Sequence, residues 1–209
     1  VFPGLRGYAY AVRVDDLRVL IDVGSGLGES DRQLEAGLAA ASQCAGVDLS
    51  WTGLTHILIT HGHIDHFGGL VHARPLTTAR LGIHELDRRI VTNHEERLSV
   101  MGRRLEEFLA EAGVPAERRS PLLEMYKMTK AVYRSVPVDF TFEAVGMRLG
   151  PLELLHVPGH CSGHIVIRLH DVLFSGDHVL SQISPHQAPE RLTLSTGLGH
   201  YLRSLEALR

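Results

Sequence analysis

The chain has 209 residues, 44% of them hydrophobic and 22% charged, with a net charge of −3. That length supports a single core of good size, and the acidic balance leaves no electrostatic footprint for nucleic acid. No stretch approaches the ~20 apolar residues of a membrane span, no charged-then-apolar leader opens the chain, and two cysteines, Cys44 and Cys161, suit a reducing cytosol better than a disulfide framework.

The expectation is therefore one cytoplasmic domain over residues 1–209 that binds neither nucleic acid nor membrane. Its oligomeric state stays open, a dimer included. Residues 8–14 and 17–23 alternate around Asp15-Asp16 and read as a hairpin. Leu34, Leu38, Ala41 and Ala45 recur at helical spacing and Gly46 stops them, which predicts a helix over 30–45. The β-branched, apolar run 55–60 predicts a buried strand. A short helix follows over 67–72, then a strand over 79–83. From 84 to 134 the pattern turns helical and charged. Met101, Leu105, Phe108 and Leu109 form one stripe, and Leu122, Met125, Tyr126, Thr129 and Tyr133 form another, with Gly113-Val114-Pro115 between them. Strand character returns over 138–142, 147–149, 152–156, 165–169 and 172–174, and a helix closes 198–208. No internal repeat is visible.

Residues 61–66 read His61-Gly62-His63-Ile64-Asp65-His66, at the end of the third predicted strand and before Gly68-Gly69. Histidines at i and i+2 of an extended segment point to one side, so His61 and His63 can grip one cation together. Asp65 and His66 come where the chain must turn and can face a second cation. Neutral imidazoles with a carboxylate suit zinc or another borderline transition metal.

This run resembles the His-x-His-x-Asp-His signature of the metallo-β-lactamase superfamily. Other parts follow the family's order: Asp22-Val23-Gly24 at a strand end, His156-Val157-Pro158-Gly159-His160-Cys161-Ser162-Gly163-His164, and Ser175-Gly176-Asp177-His178. The resemblance covers nearly the whole chain. It implies an α+β fold, a four-layer αββα sandwich; within it residues 84–134 read, from their Met and Tyr cluster, as a helical insertion that caps the cleft or else packs plainly against the sandwich or a dimer partner. It implies that His61, His63 and His160 hold one metal, that Asp65 and His66 hold another, and that Asp177 bridges the two. The expected cofactors are two zinc ions, with iron or manganese as substitutes. They would lower the pKa of water from about 15.7 to near 7, and Asp65 is the catalytic group expected to orient that nucleophile and move its proton. His63 stands where the oxygen-reducing branch carries a Glu, which argues for hydrolysis over redox chemistry.

One family feature is absent: no Pro-Gly-His turn follows Leu194. His200 reads as the start of a helix, so the expectation is that the protein continues past Arg209 or that its second metal is weakly held. Asp22 is expected to hydrogen-bond a ligand histidine. His164 reads equally as a partner that orients a ligand and as a turn residue satisfied by backbone. His178 reads as a substrate contact or a packed ring. Cys161 is expected to be a small residue beside a ligand, and Cys44 a core residue. His56 and His156 read as packed strand histidines; His72, His84, His94, His170 and His186 read as surface ones. Gly68-Gly69 is expected to serve close helix–sheet packing. Met101, Met125, Tyr126, Met128 and Tyr133 are expected to form an apolar wall for the substrate. The substrate class expected is a small thioester, ester or lactone. The alternatives are a β-lactam, a phosphodiester or nucleic acid as in nucleases of this fold, and sulfur oxidation at a single iron.

Overall fold

The computed structural model describes residues 7–209; residues 1–6 of the predicted domain lie outside the described residues. Strands β1 (Tyr10–Val14) and β2 (Leu17–Ile21) pair antiparallel across a tight turn in which Asp15 has a φ of +50°. Strands β3 (His56–Leu58), β4 (Arg80–Ile83) and β5 (Phe140–Thr141) then add in parallel, in the spatial order β1-β2-β3-β4-β5. A second sheet, β6 (Arg148–Leu149), β7 (Leu152–His156), β8 (Ile165–Leu169) and β9 (Val172–Phe174), is antiparallel throughout.

Seven α-helices complete the described residues: α1 (Ser30–Ala45), α2 (Ile64–Phe67), α3 (Leu70–Ala73), α4 (Glu85–Thr92), α5 (His94–Glu111), α6 (Ala116–Lys130) and α7 (Leu198–Ala207). Side-chain alternation along the first sheet divides the core in two. Leu20, Ile57, Ile59, Leu81 and Ile83 pack under Leu38 of α1, Leu70 of α3 and Val91 of α4. Their neighbours Val19, Ile21 and Leu58 face the other way and meet Leu152, Leu154, Ile165 and Ile167 of the second sheet. The result is the expected α+β sandwich of two facing sheets.

The expected elements shift in ways the hydrogen bonding explains. The strand expected over 55–60 is His56–Leu58, because the Thr60 N–H leaves the ladder to bond the Asp22 carboxylate. The single helix expected over 67–72 is two short ones, separated at Gly68 and Gly69. Residues 84–134 hold three helices, not two, since Asn93 at φ −133° breaks α4 from α5. Cys44, expected in the core, is exposed on the outer side of α1. His84 and His94, expected at the surface, are buried at the start of α4 and α5. His84 accepts from Leu86 N and stacks on His156, whose Nε2 bonds Ser162 O at 2.8 Å; His94 bonds Lys130 O at 3.0 Å.

Candidate metal centre

The β3–α2 loop brings His61, His63 and His66 to the carboxyl end of the parallel strands. Its position depends on close backbone approach. A Cβ on Gly68 would lie 2.3 Å from Ser25 O and one on Gly69 2.3 Å from Val23 O, so only glycine lets α2 and α3 sit against the chain after β2. The close packing expected of Gly68-Gly69 is therefore against the loop that follows β2 rather than against the sheet itself. This contact sets His66 beside Asp22, which is 3% exposed and sits in the left-handed region at φ +60°.

Asp22 organises two histidines. One of its oxygens accepts from Thr60 N at 2.8 Å; the other accepts from Thr60 Oγ1 at 2.8 Å and from His66 Nδ1 at 2.7 Å. Because the Thr60 hydroxyl proton is committed to Asp22, the hydroxyl oxygen is left to accept from His61 Nδ1 at 3.1 Å. Both rings therefore carry their proton on Nδ1 and turn Nε2 inward.

Two groups of donors converge there. The ligand atoms of His61, His63 and His160 lie within 4.8 Å of one another, and so do those of His61, His66 and Asp177. His61 Nε2 and His63 Nδ1 are 3.0 Å apart. His160 arrives from the β7–β8 loop, its Nδ1 donating to His186 O at 2.6 Å. Its buried Nε2 has no hydrogen-bond partner among the described residues. The Asp177 carboxylate reaches both groups, Oδ1 at 3.3 Å from His66 Nε2 and Oδ2 at 3.6 Å from His160 Nε2.

Asp65 belongs to neither tight group; its Oδ2 is 3.9 Å from His66 Nε2, and its side chain is about a third exposed. His164 is fully buried, and its Nε2 accepts from Asp177 N at 3.2 Å, so it steadies the Asp177 backbone. His178 is a packed ring between His164 and Tyr201. His200 lies in α7, 3.0 Å from Glu190, apart from both groups.

The charge states suit ligation. Burial, with the neighbouring histidines, pushes His61 and His63 well below the usual histidine range, and burial lowers His160 too. These rings are neutral and offer lone pairs. His66 differs: burial alone would lower it, but the Asp22 and Asp177 carboxylates hold it well above the usual range. A buried, unpartnered His160 nitrogen facing two other neutral imidazoles and a carboxylate is a set of donors that fits a transition-metal cation.

A cleft of about 230 Å³ opens from this centre, bounded by His63 and His160 on one side and by α5 and α6 on the other. Of the expected apolar wall, Met101 and Tyr126 line it. Met125 and Met128 instead point to solvent at 59% and 72% exposure, and Tyr133 packs inward on Phe67 and His94. Lys130, at the end of α6, also lines the cleft, and burial lowers its pKa.

Sequence reasoning missed three contributors. Thr60 carries no motif; its position before His61 was the only signal. Lys130 reads as an ordinary basic residue in the last turn of a helix. Asp87 reads as an ordinary acid in the first turn of α4, yet it is fully buried. Its placement beside Val91 on the apolar face of that helix was a signal. Burial pushes the Asp87 carboxyl up, opposed by the hydrogen bonds it accepts.

A model of the metallo-beta-lactamase superfamily matches residues 3–209. The chain belongs to this superfamily. It is 28% identical to the probable metallo-hydrolase YqjP of Bacillus subtilis (strain 168) over 95% of this chain and 62% of that protein. It is 25% identical to the hydroxyacylglutathione hydrolase of Shewanella baltica (strain OS195) over 61% of this chain and 35% of that protein. Among solved structures, the metallo-beta-lactamase family protein TTHA1429 of Thermus thermophilus superposes with a TM-score of 0.68 at 25% identity, covering 96% of this chain and 64% of that one. The chain thus spans less than two thirds of the length of these relatives. No helix of the described residues is long and apolar enough to cross a membrane.

Proposed function

We propose that this chain carries a dinuclear metal-dependent hydrolase site acting on a small thioester, ester or lactone. The observation that carries the reading is the convergence of two donor groups on one buried point, His61, His63 and His160 beside His61, His66 and Asp177. In this reading His61, His63 and His160 would hold one cation and His66 the second, with Asp65, 3.9 Å from His66 Nε2 and outside the tight groups, as a further ligand, and Asp177, which reaches both groups, would serve either. Zinc or iron suits these donors. When bound, such cations supply Lewis acidity, polarising the attacked carbonyl and acidifying water to a nucleophile at neutral pH.

The chain's own residues do the rest. Asp65, partly open to solvent, takes up the proton released on attack and returns it to the leaving group. Asp22 keeps His61 and His66 in the tautomer that turns Nε2 inward. Met101, Tyr126 and Ile90 offer an apolar wall, and Lys130 offers a cation for an anionic group of the substrate. The cleft takes a small molecule, and the net charge of −3 disfavours a nucleic-acid substrate. Likeness to a hydroxyacylglutathione hydrolase supports the thioester class.

The test is metal analysis together with a panel of thioester, lactone, β-lactam and phosphodiester substrates on one preparation. Hydrolysis of the thioester, ester or lactone is expected, with metal and activity lost together in His61→Ala and in His160→Ala. Stoichiometric metal retained in both variants refutes the ligand assignment; cleavage of the phosphodiester alone refutes the substrate class.

A further inference from the structure

Asp87 occupies a position that neither the motif nor the mechanism uses. The His61–His63 turn belongs to the first sheet and the His160 loop to the second. One backbone bond joins the sheets beside these loops, Ile165 N donating to Thr60 O at 2.9 Å, but it leaves the Gly62–His63 backbone and the 160–163 backbone unlinked to each other. Helix α4 lies against both, and Asp87, with no exposed surface, accepts one backbone hydrogen bond from each. Oδ2 accepts from Gly62 N at 2.8 Å, between the two histidines, and Oδ1 accepts from Gly163 N at 2.9 Å, three residues after His160. Oδ2 also accepts from Cys161 Sγ at 3.1 Å, next to His160 itself.

The fit leaves no slack. A Cβ on Gly163 would lie 2.7 Å from Asp87 Cγ and 2.9 Å from Asp87 N, and a Cβ on Gly62 would lie 2.6 Å from Ile90 Cδ1. Both glycines are small because the first turns of α4 occupy the space. The helix start is itself pinned: His84 stacks on His156 with ring centroids 4.0 Å apart and lies 3.0 Å from Glu143. A buried carboxylate held by three donors, two of them backbone N–H groups from different sheets, works as a staple.

We propose that Asp87 is a positioning residue that holds the His61–His63 turn and the His160 loop in register, and so sets the spacing at which the three imidazoles meet. The proposal rests on the metal reading of those histidines for its consequence, and on the hydrogen bonds alone for the staple. Asn is nearly isosteric but has one acceptor, so Asp87→Asn keeps one loop and turns an N–H₂ toward the donor of the other. Removing a partner that orients metal ligands typically costs about 10–100-fold in metal affinity.

The experiment measures cobalt(II) affinity by competition with a chromophoric chelator, together with the cobalt d–d spectrum, in the whole chain. Asp87→Asn, with unchanged far-ultraviolet circular dichroism, is expected to lose about 10–100-fold in affinity and to show an altered spectrum. Cys161→Ala, which leaves both backbone bonds in place, is expected to keep the wild-type spectrum. A folded Asp87→Asn protein with wild-type affinity and spectrum overturns the proposal. Should that variant fail to fold, Gly163→Ala pushes α4 off the same loop without removing the carboxylate, and wild-type cobalt binding there overturns it equally. Failure of the unmodified chain to take up cobalt refutes the metal reading but not the staple. In the metal-free chain Asp87→Asn must then shift the amide resonances of Gly62 and Gly163 together, and movement of neither refutes the staple.

Discussion

Asp22→Asn should uncouple His61 and His66 from the sheet while leaving the fold intact. The backbone tolerates the change, since asparagine accepts the left-handed conformation that position 22 adopts at φ +60°. The hydrogen bonds do not. Asp22 accepts from Thr60 N, Thr60 Oγ1 and His66 Nδ1 at 2.8, 2.8 and 2.7 Å. Asparagine keeps an oxygen for Thr60 N but turns an amide N–H₂ toward the other two. His66 must then accept on Nδ1 and carry its proton on Nε2, the nitrogen that faces Asp177. The Thr60 hydroxyl must also turn, which releases His61 Nδ1.

Loss of a buried hydrogen bond to a charged group costs about 1.5–3 kcal/mol of stability. Two of the three bonds are lost, and the Asn amide recovers part by donating to them, so a net loss near the lower end of that range is expected. Metal affinity should fall about 10–100-fold, which is about 1.4–2.8 kcal/mol. Urea denaturation of the metal-free chain and chelator competition on the loaded chain read the two quantities separately. Asp22→Ala should lose more stability than Asp22→Asn, because alanine adds about 1–2 kcal/mol for the left-handed backbone. Wild-type metal affinity in a folded Asp22→Asn protein would show that the tautomer argument is wrong.

Metal loading should be stepwise. At the His66–Asp177 group a cation must displace a proton that Asp22 and Asp177 hold on His66, so this group should empty first on chelation, and its affinity should rise with pH as that proton leaves. Equal, tight and pH-independent binding of two metals, lost on His200→Ala, would instead place His200 in the centre. His84 should titrate at about 4, lowered from 6.5 by burial and then by the His156 ring, with Glu143 pulling the other way. Its folded-state pKa is depressed, so its contribution to stability is full above pH 6.5 and is lost as pH falls from 6.5 toward 4. A histidine resonance assigned to His84 that titrates at 6.5 or above would contradict this.

Much of the molecule was legible from side-chain periodicity and motif spacing. Short apolar runs placed β7, β8 and β9 at their observed bounds, and a 3.6-residue period with a terminal Gly46 placed α1. His61, His63 and His66 meet because a strand end and a following turn put them on one side, which is local geometry. Asp177 and His160 were named by their motifs, but their approach to within 3.6 Å of each other is a consequence of two sheets packing face to face. The tertiary structure alone decided the rest. Cys44 looks apolar on its helix yet faces outward, because only Leu38 of α1 is deeply buried on the sheet. His84 and His94 look like surface residues, yet α4 and α5 bury them. Asp87 looks like a solvated acid at a helix start, and becomes a buried staple because Gly62 and Gly163, about a hundred residues apart, leave their N–H groups unpaired against that helix. Periodicity reports which face of an element is apolar. It does not report which distant backbone donors will be buried against that face, and those donors are what a buried carboxylate answers.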